Sequence, residues 1–340
     1  MQKSNGVNIA INGFGRIGRA VFKSLLNKKG INVVAINDLT DTKTLAQLLQ
    51  YDSCYRVYDK KVTALADNLV VGGKKYKVLA EKEPAKLPWN KMKVDIVLEC
   101  TGRFLDMAGA GEHLKAGAKK VIISAPAKDE SIKTIVLSVN EKDLNKNDKI
   151  ISMASCTTNC LAPVTKIISD NFGVKKAVMS TVHSYTADQN LVDGPHKDLR
   201  RARAAALNIV PTTTGAAKAV AKTMPTLVGK FDGLSLRVPT PVVSLCDAVY
   251  ITEKSVTAEA VNKVIKQAAA KNYKGYVAVT EESLVSSDFI GNSSSAIVDL
   301  SLTKVIGGDM LKIISWYDNE WGYSCRLADL CEYINKKKLL

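Results

Sequence analysis

A glycine triplet, Gly13-Phe14-Gly15-Arg16-Ile17-Gly18, lies between a β-branched run and a helix-forming one. The G-x-G-x-x-G spacing is weak by itself, because glycine triplets arise by chance. Its context is what constrains the fold. Val7-Asn8-Ile9-Ala10-Ile11 reads as a buried strand, Arg16 to Asn27 as a helix and Ile31 to Ile36 as a second strand, with Asp38 at its end, 20 residues past Gly18. Together these form a βαβ unit whose glycines permit a tight turn and let the backbone approach a pyrophosphate held at the helix N-terminus. Asp38 can accept hydrogen bonds from a ribose 2′-hydroxyl and would repel a 2′-phosphate, which predicts NAD over NADP.

The alternation continues through the first half. Asp41 to Gln50 reads as a helix, Val94 to Leu98 as a strand, Met107 to Ala116 as a helix and Lys120 to Ser124 as a strand. Such a rhythm implies a parallel sheet with helices on both faces. The stretch from Lys60 to Lys93 breaks it, with Gly72-Gly73 predicting a hairpin between Leu69-Val71 and Tyr76-Leu79. From about residue 150 long strand-like runs follow one another: Lys176 to Val182, Leu234 to Val238, Val242 to Thr252, Ala296 to Leu302 and Leu311 to Tyr317. Helical stretches are Cys156 to Asn171, Thr214 to Thr223, Thr257 to Lys271 with Thr257 as N-cap, and the amphipathic Trp321 to Lys338. The expectation is an α/β protein, a dinucleotide-binding domain followed by an α+β domain of mostly antiparallel sheet. Ser184 to Pro211 has no regular period and reads as a long ordered loop of the functional kind.

At 340 residues the chain has room for two domains at roughly 150 residues each. No apolar run reaches the roughly 18 residues that span a bilayer, and Met1 to Gly6 lacks the features of a secretory leader, so the expected location is cytoplasmic with no membrane partner. Seven cysteines in no paired spacing suit reduced thiols better than a disulfide framework. The formal charge of +15 comes mostly from scattered Lys. That reads as a solvated lysine-rich surface, with nucleic acid as a secondary partner at most, and a positive field would gather anionic substrates.

Ser155-Cys156-Thr157-Thr158-Asn159-Cys160 puts Cys156 where a helix begins. A helix N-terminus favours anions, so a thiol there is expected to have a lowered pKa, and Cys156 is a candidate nucleophile. The Cys-x-x-x-Cys spacing also fits a metal, but the chain has no second ligand pair, so no metal is expected and Cys160 reads as structural. Three histidines are available as base. His113 reads as a solvated surface residue near a helix end, and His196 stands in the loop beside Pro195 with no apparent orienting partner. His183 ends a strand and opens the loop, where both a base and a packed core histidine remain open readings.

Long stretches of the chain resemble the glyceraldehyde-3-phosphate dehydrogenase family. These include Asn12 to Arg19, Ala154 to Pro163, His183 to Thr186, Asp198 to Ala206, Pro211 to Lys218, Leu236 to Pro241 and Ser315 to Tyr323, in family order. The resemblance implies a Rossmann-type NAD-binding domain at 1–155, with a C-terminal helix at 320–340 packing back on it, and a catalytic domain at 156–319. It implies that Cys156 adds to the aldehyde of glyceraldehyde 3-phosphate, with His183 as its paired base and the Cys156 N–H steadying the developing oxyanion. Oxidation leaves a thioester that inorganic phosphate resolves, giving 1,3-bisphosphoglycerate. By similarity Thr186, Asp188 and Arg237 bind the substrate phosphate, with Arg201 close to both anions; Thr157, Thr214 and Gly215 take the attacking phosphate, and Ser155 belongs to the same substrate- and phosphate-binding set. Asn319 resembles the residue that holds the nicotinamide carboxamide, and Tyr323 packs nearby. A homotetramer is implied, with the Ser184 to Pro211 loop at subunit interfaces. Family members restricted to NAD often carry Leu-Pro in that loop; Gly194-Pro195 stands here, so discrimination against NADP rests on Asp38. A sister enzyme acting on erythrose 4-phosphate with water as acceptor is the alternative, and Thr157, Thr214 and Gly215 favour phosphate.

Overall fold

The structure, a computed structural model, describes residues 6–340. It divides into two compact units. Residues up to Ile135, Lys142–Ala154 and Ser324–Leu340 make the first; Val136–Glu141 and Ser155–Tyr323 make the second.

In the first unit β1 (Val7–Asn12), α1 (Arg16–Leu25), β2 (Ile31–Asn37) and α2 (Thr42–Gln50) realise the expected alternation. A two-residue ladder, β3 (Tyr51–Asp52) with β4 (Arg56–Val57), precedes the insertion β5 (Val62–Leu65), β6 (Asn68–Val71) and β7 (Lys74–Leu79). The alternation resumes with β8 (Ile96–Glu99), α3 (Met107–Lys115), β9 (Lys120–Ile123), β10 (Lys133–Thr134) and β11 (Ile150–Ser152). The sheet order is β10-β11-β9-β8-β1-β2-β7-β6-β5. All pairs from β10 to β7 are parallel; β6 and β5 add antiparallel. Gly72 and Gly73 have φ of 56° and 82°, the left-handed pair that a two-residue hairpin turn needs. Every residue of β8 and β9 is buried, as central parallel strands covered on both faces require. The chain leaves β1 for β2 on one side and later fills β8 on the other, so the carboxyl ends of these three strands form the switch point where such sheets bind ligands.

The second unit comprises α4 (Cys156–Phe172), β12 (Lys176–Ser184), β13 (Val210–Thr213), α5 (Ala216–Thr223), β14 (Phe231–Val238), β15 (Ser244–Ile251) and α6 (Ala258–Ala270). β16 (Val277–Thr280), β17 (Ala296–Asp299), β18 (Lys304–Ile306) and β19 (Met310–Tyr317) complete it. The sheet order is β13-β14-β12-β15-β19-β17-β16, with β18 on β19. Only β12 with β14 and β16 with β17 are parallel. Along β15, Ser244, Cys246, Ala248 and Tyr250 are buried and their neighbours half-buried, the period-2 signature of one covered face. α4 packs on β15, β17 and β19, α5 on β14 and α6 on β16. The last helix, α7 (Trp321–Lys336), runs into the first unit, where Lys28 pairs with Asp329 and Glu332 and Asn335 Nδ2 donates to Gly30 O at 3.2 Å.

Several boundaries differ from the sequence expectation for local reasons. α5 begins at Ala216, because the Thr214 hydroxyl accepts from Ala216 N at 3.2 Å ahead of the helix. β15 begins at Ser244, because Val243 has φ of 71°, a left-handed conformation that breaks a strand. The run after Ala296 stops at Asp299 and turns through Leu300–Leu302. His113 is a correction of substance: it is fully buried, not solvated. Ala110 and His113, three apart on α3, share the inward face, and the Trp89 indole N–H donates to His113 Nδ1 at 3.0 Å.

Candidate active site

The first unit carries a cleft of about 320 Å³ at its switch point, lined by Asn12, Gly13, Gly15, Asp38, Thr101 and Phe104 among others. Gly13 sits at φ 92°, and a side chain there would come within 2.8 Å of the Cys100–Thr101 backbone. At Gly18 a Cβ would meet Gly13 O at 2.1 Å, so the first turn of α1 presses onto the loop. Gly15 faces open space, where a side chain would intrude on a ligand. Asp38 accepts from Phe14 N at 2.6 Å and Thr40 N at 2.9 Å, tying the β2 loop to the glycine loop. A dinucleotide fits this donor set: an open backbone at a helix start beside a fixed carboxylate. Phe14 is buried against Phe22, and Arg16 is engaged by Asp52 at 2.6 Å, so both offer the cleft backbone rather than side chain. Ile17 is half-buried on the first turn of α1.

In the second unit Ser155 caps α4, accepting from Thr158 N at 3.1 Å, and Cys156 is the first helical residue. Cys156 Sγ stands 3.5 Å from His183 Nε2. His183 Nδ1 donates to Ser184 O at 2.7 Å, which fixes the tautomer and leaves Nε2 as the acceptor facing the sulfur. The Thr157 N–H and hydroxyl, next in the chain, favour the thiolate. Burial nonetheless dominates: it pushes the thiol up to about 11, against the lowering influence of Arg237 and Thr157. Burial and then the Arg237 charge press the imidazole down to about 3. The expectation of a lowered thiol pKa, drawn from the helix end alone, is therefore reversed by desolvation. A proton passing from Sγ to Nε2 creates two opposite charges side by side, each compensating the other.

Arg237 lies opposite His183 in the β12–β14 register. Its Nη1 donates to Thr186 Oγ1 at 2.7 Å and to Ser184 O at 3.3 Å, while its Nε is buried without a partner. Thr186 donates to Asp188, and Asp188 accepts from Arg201 Nη1 at 2.5 Å. Burial alone would raise the Asp188 carboxyl, but the Thr186 hydroxyl and the two guanidiniums hold it below the usual carboxylate range. Arg201 reaches on to Thr212 Oγ1 at 2.9 Å and Thr213 O at 3.3 Å, next to Thr214 and Gly215. Cys156, His183, Thr186, Asp188, Arg201 and Arg237 are thus one connected set. Thr157 is buried, and its hydroxyl shares a hydrogen bond with Tyr317 OH at 2.8 Å. Asn319 Oδ1 accepts from the Ser184 and Ser244 hydroxyls, both at 3.0 Å, which sets its amide; Tyr323 is buried at the start of α7.

Residues 7–107 match the family described as glyceraldehyde 3-phosphate dehydrogenase, NAD binding domain, and residues 155–319 match its C-terminal domain. Glyceraldehyde-3-phosphate dehydrogenase 1 of Bacillus subtilis is 56% identical over 334 residues, 98% of this chain and 99% of its own. The chain belongs to the glyceraldehyde-3-phosphate dehydrogenase family. The Geobacillus stearothermophilus glyceraldehyde-3-phosphate dehydrogenase is 55% identical over 98% of this chain and 99% of its own. The chloroplastic form A of Chlamydomonas reinhardtii is 51% identical over 97% of this chain and 89% of its own. The first unit carries this family's NAD-binding domain, and NAD is its cofactor. Motif reasoning passed over Tyr317, which bridges Thr157 and Thr181 at 2.8 and 2.9 Å, and the serine pair on Asn319. A buried Tyr at a strand end looks like ordinary core, so only coordinates expose its role.

Proposed function

We propose that the chain oxidises glyceraldehyde 3-phosphate through a thioester on Cys156 and passes the acyl group to inorganic phosphate, giving 1,3-bisphosphoglycerate. The observation that carries this reading is the Cys156 thiol 3.5 Å from an imidazole whose tautomer is fixed to accept its proton. Nε2 takes the proton, the sulfur adds to the aldehyde carbon, and the Cys156 N–H at the helix start steadies the developing oxyanion. The imidazolium gives that proton to the oxyanion, forming the hemithioacetal hydroxyl, and Nε2 takes it back as the carbon is oxidised. NAD, when bound, supplies the hydride acceptor. Its pyrophosphate is assigned to the backbone from Gly13 to Gly18 with Phe14, Arg16 and Ile17, its ribose to Asp38, and its carboxamide to Asn319 beside Tyr323.

Arg237, Thr186, Asp188 and Arg201 are assigned the substrate phosphate; the buried unpartnered Arg237 Nε supports an anion there. Ser155, Thr157, Thr214 and Gly215 are assigned to phosphate binding, the last three to the attacking phosphate. Five large apolar side chains of the 184–211 loop, Leu191, Val192, Leu199, Leu207 and Ile209, are between 68% and 81% exposed, which supports burial in a homotetramer. None of the seven cysteines forms a disulfide, in keeping with a cytoplasmic location; no helix among the described residues is long and apolar enough to cross a membrane.

Two measurements test this reading. With glyceraldehyde 3-phosphate, sustained NADH formation is expected only when inorganic phosphate is present. Phosphate-independent turnover would instead support the erythrose 4-phosphate alternative, with water as acceptor. Asp38→Ala is expected to raise the ratio of kcat/KM for NADP over NAD by about tenfold, because a carboxylate that repels a 2′-phosphate is gone. An unchanged ratio removes Asp38 from cofactor selection.

A further inference from the structure

Beneath the nucleotide cleft runs a line of buried polar side chains that no motif singles out. Asn12, Asn37 and Glu99 end the three neighbouring strands β1, β2 and β8, and all are 4% exposed or less. Asn37 Nδ2 donates to Asn12 Oδ1 at 2.7 Å, and Asn12 Nδ2 donates to Glu99 Oε2 at 2.6 Å. His113 Nε2 lies 3.1 Å from the same oxygen. Because the Trp89 indole can only donate, His113 Nδ1 accepts from it, so the neutral ring carries its proton on Nε2 and donates to Glu99. The other carboxylate oxygen accepts from Thr101 N at 2.8 Å and from the Thr101 hydroxyl. Every hydrogen bond to Glu99 is therefore a donated one.

We infer that Glu99 and His113 are positioning residues for the dinucleotide. Asn12 and Thr101 both line the cleft, and they belong to the two loops that touch where Gly13 meets Cys100 and Thr101. Glu99 accepts from both, so one carboxylate sets the spacing of the β1 and β8 loops. His113, held by Trp89, fixes the carboxylate from behind. A cleft wall fastened in this way is preorganised, and ligand binding then orders less of the protein. Asn37, which also donates to Glu81 O at 2.8 Å, extends the same lacing to the β2 loop that carries Asp38.

The inference rests on this cleft being the NAD site, and the test separates the two. Glu99→Gln keeps the shape but not the pattern. Whichever way its amide turns, an N–H faces a donor, either Asn12 and His113 or Thr101. Isothermal titration of the ligand-free protein with NAD is expected to show about tenfold weaker binding, with KM for NAD rising by the same factor and kcat changing less than twofold. Trp89→Phe, which frees the His113 ring without touching the carboxylate, is expected to weaken binding about threefold and carries the decision if Glu99→Gln does not fold. A lower melting temperature with wild-type NAD affinity in both folded variants would make the network structural only and overturn the proposal. Asp38→Ala is the control for the cleft: if it too binds NAD as the wild type does, the cleft assignment fails and the proposal with it. If Asp38→Ala weakens binding and Glu99→Gln does not, the positioning role alone falls.

Discussion

Cys156→Ser is expected to abolish aldehyde oxidation, on the order of 10⁴-fold or more, while NAD still binds. Almost every atom around position 156 is retained by this change. Ser155 still caps α4, the Thr157 N–H still points at the side chain, and His183 Nε2 still faces it as an acceptor. What is lost is the nucleophile itself: a serine hydroxyl is a far weaker acid than a thiol and gives its proton to the imidazole far less readily. An oxygen nucleophile would also leave an ester rather than a thioester, which phosphate attacks far less readily. The glycine loop and Asp38 belong to the other unit and keep their own bonds. Steady-state turnover and NAD titration on the same preparation check the prediction. Intact mass after aldehyde and NAD without phosphate should show an acyl adduct on the wild type and none on the variant. Full activity in the variant would refute the nucleophile assignment.

What the sequence disclosed and what it hid follow from the range of the forces involved. Gly13, Gly15 and Gly18 are legible because a left-handed turn, an open approach and a close packing each exclude a side chain locally. The parallel strands are legible because burial on both faces demands unbroken apolar runs, as in β8 and β9. The Ser155 cap and the helix it starts are likewise local. The errors arose where a residue's state depends on partners far along the chain. His113 looks solvated within its own helix; its partners Trp89 and Glu99 lie 24 and 14 residues away. The Cys156 thiol was expected to fall because the helix end is visible in the sequence, whereas the burial that raises it is assembled by the whole second unit. The bond between Thr157 and Tyr317, 160 residues on, is equally invisible along the chain.

The contact between thiol and imidazole gives the second large effect. His183→Asn is expected to slow turnover by about 10²- to 10⁴-fold and to change how the thiol reacts with pH. In the wild type the Cys156 proton has an internal destination 3.5 Å away, so thiolate forms without losing a proton to solvent. Because the imidazole takes the proton internally, the thiolate population should change little across neutral pH, and alkylation by iodoacetamide should be nearly flat there. Asparagine keeps a polar group that can reach the Ser184 carbonyl but cannot take the proton. The thiol must then ionise to solvent. Burial keeps that thiol above its ordinary value, so the thiolate is scarce at pH 7 and the alkylation rate should climb about tenfold per pH unit. Arg237 remains in the variant and still favours the thiolate, so the slope rather than the absolute rate is the decisive quantity. A variant that is slow in turnover yet alkylates with the wild-type profile would leave His183 its role in removing the hydroxyl proton. It would also show that the sulfur is ionised by some group other than this imidazole.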